Sequence, residues 1–279
     1  MLKQNMSYNR GDLPDFTNPP VIEVALAVHF ERLAELRTPH LGLFWAQLQD
    51  QFPKLEEHPP RDVTLETFGP PVPKKMSVRF ETTPPFPRCW FLNDRGTELI
   101  QVQQDTFVHN WRKVGEGDEY PRYESIREQF RVQLHNFRQF IARERLGKLV
   151  PNQCEITYVN HIFQGEGWER FGQVSDLVTV WSSDYSDTFL TEPEEVRFSV
   201  RYVIPDSEGN PLGRLHIGLQ PAYRTADTKP LLALKLTARG RPYGEGEEGV
   251  LGFLDTGREW IVRGFASITS PRMHRIWGR

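Results

Sequence analysis

From Val21 to Phe30 the chain reads VIEVALAVHF, in which Ile22, Val24, Leu26, Val28 and Phe30 alternate with Glu23, Ala25, Ala27 and His29. A period of two puts the apolar set on one face of a half-buried strand. The same signal returns in ELIQVQQDTFVHNWRK, Glu98 to Lys113. There Leu99, Gln101 and Gln103 alternate with Ile100 and Val102, Gln104 and Asp105 can turn the chain, and Phe107, His109 and Trp111 alternate with Val108, Asn110 and Arg112. This pattern predicts a β-hairpin. Beyond YPRYE at Tyr120 to Glu124 the period changes. From Ser125 to Arg145, Ile126, Phe130, Leu134, Phe137 and Ile141 form one stripe of a long helix, which Gly147 and Pro151 stop.

Between these elements, Thr38 as a hydroxyl cap and Pro39 at the first helical position predict a short helix carrying Leu41, Phe44, Trp45, Leu48 and Phe52, ended by Pro53. Glu56 to Lys75 is rich in proline and charge and reads as a long loop with one short strand at Val63 to Thr67. Strands follow at Ser77 to Thr82 and Cys89 to Leu92, and Asn93 to Gly96 turns into the hairpin.

After Pro151 the order starts again. A strand spans Cys154 to Phe163, and a short helix carries Trp168, Phe171, Val174, Val178 and Trp181. Strands follow at Glu195 to Ile204, Arg214 to Gln220 and Leu231 to Arg239, and a closing helix carries Val250, Leu254, Ile261, Phe265 and Ile268. Glu23 and His29 have the same separation as Glu155 and His161, and SVRF at Ser77 recurs as SVRY at Ser199. These features predict an α+β fold of two related halves, 19–150 and 151–279, behind a mobile lead-in at 1–18. Each half offers a sheet with one apolar face and a long helix to cover it. Paired edge to edge they would make one curved antiparallel sheet with the long helices on one face. The arrangement resembles the duplicated saddle of the TATA-binding-protein type and the bacterial effector-binding folds built from two related halves, a likeness of fold that says little about function.

Composition narrows the class. At 279 residues the chain can bury a sizeable core, and 18 Phe and 7 Trp argue against disorder despite a mean hydropathy of -0.54. A net charge of -3 gives no global pull towards nucleic acid or an anionic membrane, so such affinity must come from a local patch. Cys89 and Cys154 cannot build a disulfide framework, and no run is apolar enough for a signal peptide or a membrane span. A soluble protein of the reducing cytoplasm is expected.

NPPVIEV at Asn18, the Phe44-Trp45 helix, FPKLEE at Phe52, QVQQDTF at Gln101, NWRK at Asn110, YPRYE at Tyr120, YVNHI at Tyr158 and FASIT at Phe265 together resemble a sporadically distributed, functionally uncharacterised family of bacterial proteins of about this length. The resemblance spans nearly the whole chain after the lead-in. Its patchy distribution implies mobile or defence-associated genes, and it supplies no catalytic residues.

Residues suited to chemistry are present but do not form a motif. GEGEEG at Gly244 to Gly249 matches GxGxxG literally, yet Glu245, Glu247 and Glu248 would oppose a pyrophosphate, whereas acids suit a helix start. His109 and Trp111 share one strand face while Asn110 and Arg112 share the other, so the four cannot converge on one atom. His29, His161 and His216 lack companions at metal-ligand spacing. No metal, cofactor or catalytic residue is expected.

One surface stands out. Opposite the apolar alternation lie Glu23, His29, Ser77, Arg79, Gln101, Gln103, Asn110, Arg112, Glu155, His161, Arg197, Ser199, Arg201, His216, Gln220, Lys235 and Arg239, with small Ala25, Ala27 and Gly218 among them. Antiparallel sheets often wet one face, but long Arg and Gln side chains over a floor of small ones suit an anionic or amide-bearing partner. The expected ligand-binding set is Arg79, Gln101, Gln103, Arg112, His161, Arg197, Arg201, His216, Lys235 and Arg239. The sequence therefore favours a non-catalytic binding protein that uses this face, or a groove between the halves, for a protein, nucleic-acid or small anionic partner. The alternative is a hydrolase or nuclease whose site assembles only in three dimensions, and a homodimeric scaffold is a weaker third reading.

Overall fold

The strand at Val21–Phe30 (β1) lies at the centre of the molecule, with Val24, Leu26 and Val28 fully buried. In the computed structural model, which describes residues 13–69, 85–182, 184 and 189–279, nine strands form one antiparallel sheet. The remaining strands are Lys54–His58 (β2), Arg88–Leu92 (β3), Glu98–Gln103 (β4), Thr106–Arg112 (β5), Pro151–Phe163 (β6), Phe198–Pro205 (β7), Pro211–Tyr223 (β8) and Pro230–Gly240 (β9). Their order is β2-β3-β4-β5-β1-β6-β9-β8-β7. Among the described residues four helices complete the fold: Thr38–Ala46 (α1), Arg122–Arg143 (α2), Gly246–Ile268 (α3) and Pro271–Ile276 (α4). The fold is thus α+β, and no helix of the described residues is long and apolar enough to cross a membrane.

Strand register decides which side each long helix covers. Leu26 pairs with His109 on one neighbour and with Ile156 on the other, so all three side chains share a face. Helix α2 rests on that face through His109 Nε2 to Gln129 Oε1 at 3.1 Å and through the stacked Phe107 and Phe137 rings at 5.2 Å. Helix α3 rests on it at Gly257, where an added Cβ would lie 2.6 Å from Ile156 Cγ2 and 3.1 Å from Ala238 Cβ. Only glycine lets the helix approach the sheet this closely. Asp255 of α3 then accepts from Tyr123 Oη at 2.8 Å and Arg127 Nε at 2.6 Å of α2, clasping the two helices side by side.

Reading outward from β1 and β6, the strand beside each central one is the last before the long helix: β5 precedes α2 and β9 precedes α3. Glu23 pairs with Arg112 on one side, and Glu155 pairs with Arg239 on the other.

The structure departs from the sequence expectations in several places. No helix carries Trp168 to Trp181; a single 3-10 turn at Val174–Asp176 stands there. Trp168, Val174 and Val178 are buried all the same, and Gly172 runs against Pro193, where a Cβ would meet the carbonyl oxygen at 1.9 Å. Helix α1 is capped from Arg37, whose N–H donates to His40 Nδ1 at 2.9 Å, rather than by the Thr38 hydroxyl; Leu48 and Phe52 reach the core from the turns that follow. Lys54–His58 is an edge strand rather than loop, and Val63 to Thr67 forms no strand. Arg197 precedes β7 instead of lying within it. The expected strand at Ser77 to Thr82, with Arg79, lies outside the described residues. GEGEEG opens α3, with Glu247 and Glu248 in the first turn at the positive end of the helix dipole.

Candidate functional site

The polar side chains of β1 stand on the opposite face of the sheet, over a cavity of about 440 Å³. Its floor is Ala25, Ala27 and Thr157 of the central strands. Small residues here leave depth that the long side chains of neighbouring strands surround. Glu23, Asn110, Gln101, Trp90 and Arg88 form one wall, and Glu155, Lys235 and Arg239 the other.

The face is not open as the alternation alone suggests. After His58, two prolines end β2, and Arg61 to Phe68 crosses the sheet as a strap. Buried Gln103 grips its start in both directions: it accepts from Arg61 N–H at 3.2 Å and donates to Arg61 O at 2.9 Å. Buried Gln153 does the same further on, accepting from Glu66 N–H at 2.7 Å and donating to Thr64 O at 3.0 Å. Glu66, with only 8% of its side chain exposed, then receives Arg214 Nη1 at 2.5 Å, His216 Nε2 at 2.6 Å and Arg239 Nη1 at 3.4 Å. The Arg214 guanidinium also lies 4.3 Å over the Phe68 ring. The strap, through Arg61, Asp62, Val63 and Thr64, turns the face into a chamber.

Hydrogen bonds within the first wall run in one direction. Arg88 Nη1 donates to Gln101 Oε1 at 3.3 Å, Gln101 Nε2 to Asn110 Oδ1 at 2.8 Å, and Asn110 Nδ2 to Glu23 Oε1 at 2.6 Å. A cation at one end and a carboxylate at the other orient both amides between them. On the second wall Arg239 Nε donates to Glu155 Oε2 at 2.5 Å. Burial alone would raise the Glu155 carboxyl, but Arg239 together with weaker neighbouring charges such as Lys235 outweighs it and holds the group below its ordinary value. Burial pushes His29 down, so that ring is neutral and hydrogen-bonded to Thr106 Oγ1 at 3.0 Å.

The positive charge is less well matched. Among the described residues Arg61, Arg88 and Lys235 have no carboxylate within ion-pair distance, whereas Arg239 has two. Burial, and then the charge of Arg61, lower the affinity of Arg88 for its proton. Arg88 Nε and Trp90 Nε1 are both buried without a hydrogen-bond partner among the described residues, and the Arg88 guanidinium lies 5.3 Å over the Trp90 ring. Two like charges beside unmatched donors form a corner suited to acceptor oxygens.

Of the expected ligand-binding residues, Gln101, Gln103, Lys235 and Arg239 line the chamber. Gln103 and Arg239 are already engaged by the strap and by acids, which corrects their reading as free surface groups. His216 shares the face but is held by Glu66. Arg112 does not line the chamber: its Nε donates to Gly96 O at 2.8 Å, and its guanidinium lies 5.9 Å over the Trp90 ring. His161, opposite Ala233, lies on the same face outside the chamber. Arg201, opposite His216 on outer strand β7, is exposed, and exposed Arg197 pairs with Glu195 at 2.9 Å. The structure thus divides the set rather than gathering it into one patch.

Arg61, Arg88, Trp90 and Glu66 escape the sequence reading. The period of two in RCWFL carries a signal for Arg88 and Trp90, since it sets them opposite Cys89 and Phe91. No local signal marks Arg61 or Glu66. Among the described residues no group of three or more His, Cys, Asp or Glu could hold a metal ion. The chain matches no family model, no curated protein and no solved structure.

Proposed function

We propose that the protein is a binding module whose strapped chamber holds a small organic anion that also carries a hydroxyl or amine donor. The observation that carries this reading is the pairing of unmatched cations Arg61, Arg88 and Lys235 with the carboxylate of Glu23 around one cavity. The anion sits against the cations, and Glu23, reached by one donor from Asn110, accepts from the ligand. At about 440 Å³ the chamber falls within the range of small-molecule sites, roughly 300–1,000 Å³. The strap crosses the ground that a nucleic-acid duplex would need, which favours the small ligand over a polymer.

The hydrolase alternative has one observation in its favour: Glu23 and Glu155 line the same cavity. However, Glu23 lies opposite Val159 and Glu155 opposite Ala27, so four strand residues separate them. That is about 13 Å along the strands at the usual rise, beyond the roughly 5–9.5 Å of paired hydrolytic carboxylates. Each is also engaged, by Asn110 and Arg239 respectively. The same reading takes the two halves as copies of one unit bent into a saddle. The matched pairs Glu23–Arg112 and Glu155–Arg239 support it, with Ala25 and Thr157 facing each other at the centre.

Calorimetric titration with inorganic phosphate, glycerol 3-phosphate and malate tests the proposal. At least one should bind saturably, and binding should fall at least tenfold in Arg61→Ala combined with Lys235→Ala. Flat titrations of all three into the intact protein would overturn it.

A further inference from the structure

On the helix-bearing side, behind the same central strands, lies a second cavity of about 350 Å³ that shares no lining residue with the chamber. It opens between the start of α2, the middle of α3 and the chain at Pro14 to Pro19. Val21, Leu236, Ile261 and Phe265 give it an apolar base. Its rim is polar, and two features there ask for an acceptor.

The first is a pair of phenols. Tyr120 Oη and Tyr158 Oη are 3.0 Å apart, so one donates its proton to the other. The second phenol's own proton has no acceptor among the described residues. Burial raises the proton affinity of both, that of Tyr158 well above its ordinary value, so both remain donors at neutral pH.

The second is Arg258. Its guanidinium lies 5.2 Å over the Tyr123 ring, and among the described residues the one carboxylate within ion-pair distance is Glu124 at 3.5 Å, a side chain 72% exposed. Its Nε is buried with no hydrogen-bond partner among the described residues. Arg258 is close enough to act electrostatically on both phenols. The other charges at the rim are already committed to each other: Arg122 Nη1 donates to Asp15 Oδ1 at 3.0 Å and to Phe16 O at 3.3 Å. Arg122 does so from a left-handed backbone, φ 68°, unusual for a non-glycine residue and a sign that the clasp is held by its surroundings.

From the cavity shape, the spare phenolic proton and the weakly matched guanidinium, we infer that this groove binds a carboxylate with an apolar body. The carboxylate accepts from Arg258 and the Tyr120–Tyr158 pair, displacing exposed Glu124, and the hydrocarbon or aryl body lies on Val21, Leu236, Ile261 and Phe265. The site is independent of the proposed chamber, and either can fail without the other.

Decanoate is the probe, with decan-1-ol of equal length as the uncharged control. Titration of the intact protein should show saturable decanoate binding with decanol at least tenfold weaker, and methyl resonances of Val21, Ile261 and Val262 should shift. Arg258→Gln should weaken decanoate by about tenfold or more, as expected for a charge-assisted hydrogen bond, while leaving decanol unchanged. Tyr158→Phe should weaken decanoate as well. If Arg258→Gln fails to fold, Val262→Trp serves instead, because an indole at the half-buried Val262 fills the cavity and should abolish binding. No decanoate binding, equal binding of acid and alcohol, or methyl shifts confined to other parts of the protein would each overturn the inference.

Discussion

Replacing Glu66 with alanine should release the strap without unfolding the sheet. Among the described residues Glu66 joins the strap to two guanidinium groups, Arg214 and Arg239, and to the His216 ring, and it is almost wholly buried. A hydrogen bond to a charged group contributes about 1.5–3 kcal/mol, and removing one partner of a fully buried pair costs about 3–5 kcal/mol. Arg214 and Arg239 retain 20% side-chain exposure, and Arg239 keeps Glu155, so water and a second acid compensate part of the loss. A loss of about 2–3 kcal/mol in strap docking follows. Hydrogen exchange reads this directly, because the amides of Arg61 and residue 66 donate to Gln103 and Gln153 only while the strap is docked. At 1.4 kcal/mol per factor of ten, both amides should exchange about thirty to a hundred times faster. Amides of β1, held by β5 and β6, should keep their protection. Unchanged exchange at residues 61 and 66, or equal acceleration in β1, would show that the strap is not a separately docked element.

Three further outcomes follow from the core. Burial pushes His109 down to about 4, with the Gln129 bond opposing only in part. The unfolded chain therefore takes up a proton below about 6.5 that the folded one refuses, and stability should fall between pH 6.5 and 4 by about 3 kcal/mol; denaturant titrations should show this slope flattened in His109→Leu. Phe137→Ala removes a fully buried ring stacked on Phe107 and should cost about 3–5 kcal/mol in the same assay. Gly257→Ala should destabilise by about 1–3 kcal/mol despite the better helix propensity of alanine, because its methyl would overlap Ile156. A stabilised variant would show that α3 can shift on the sheet.

What could be read from the chain depended on whether the information was local. The alternation in β1, β4 and β5 and the stripe of α2 state their own burial, so these elements and the division of polar and apolar faces were legible. β2 was not, because KLEEH has neither alternation nor apolar mass; its strand character comes from β3 alone. The absent helix at 168–181 has the opposite cause. Its apolar residues are buried by tertiary contacts that need no helical hydrogen bonds, and Gly172 is fixed by an approach to Pro193 that no window of sequence contains. The chamber was half legible. Period-two reasoning placed Glu23, Gln101, Asn110, Lys235 and Arg239 on one face, but the strap that selects among them reaches from Glu66 to Arg214 and Arg239 across 148 and 173 residues.

A sheet that does not close leaves two rows of unpaired backbone groups, and here they are guarded unequally. Strand β2, at one margin, carries Lys54, Glu56, Glu57 and His58, whose charges and polarity oppose the addition of another strand. Strand β7, at the other, exposes Tyr202 and Val203, and among the described residues nothing pairs with its outer side. Aggregation of partly unfolded or overproduced protein therefore has a preferred point of entry. A lysine at Val203 would protect it at little thermodynamic cost, and since no residue of β7 lines either cavity, both would stay as they are.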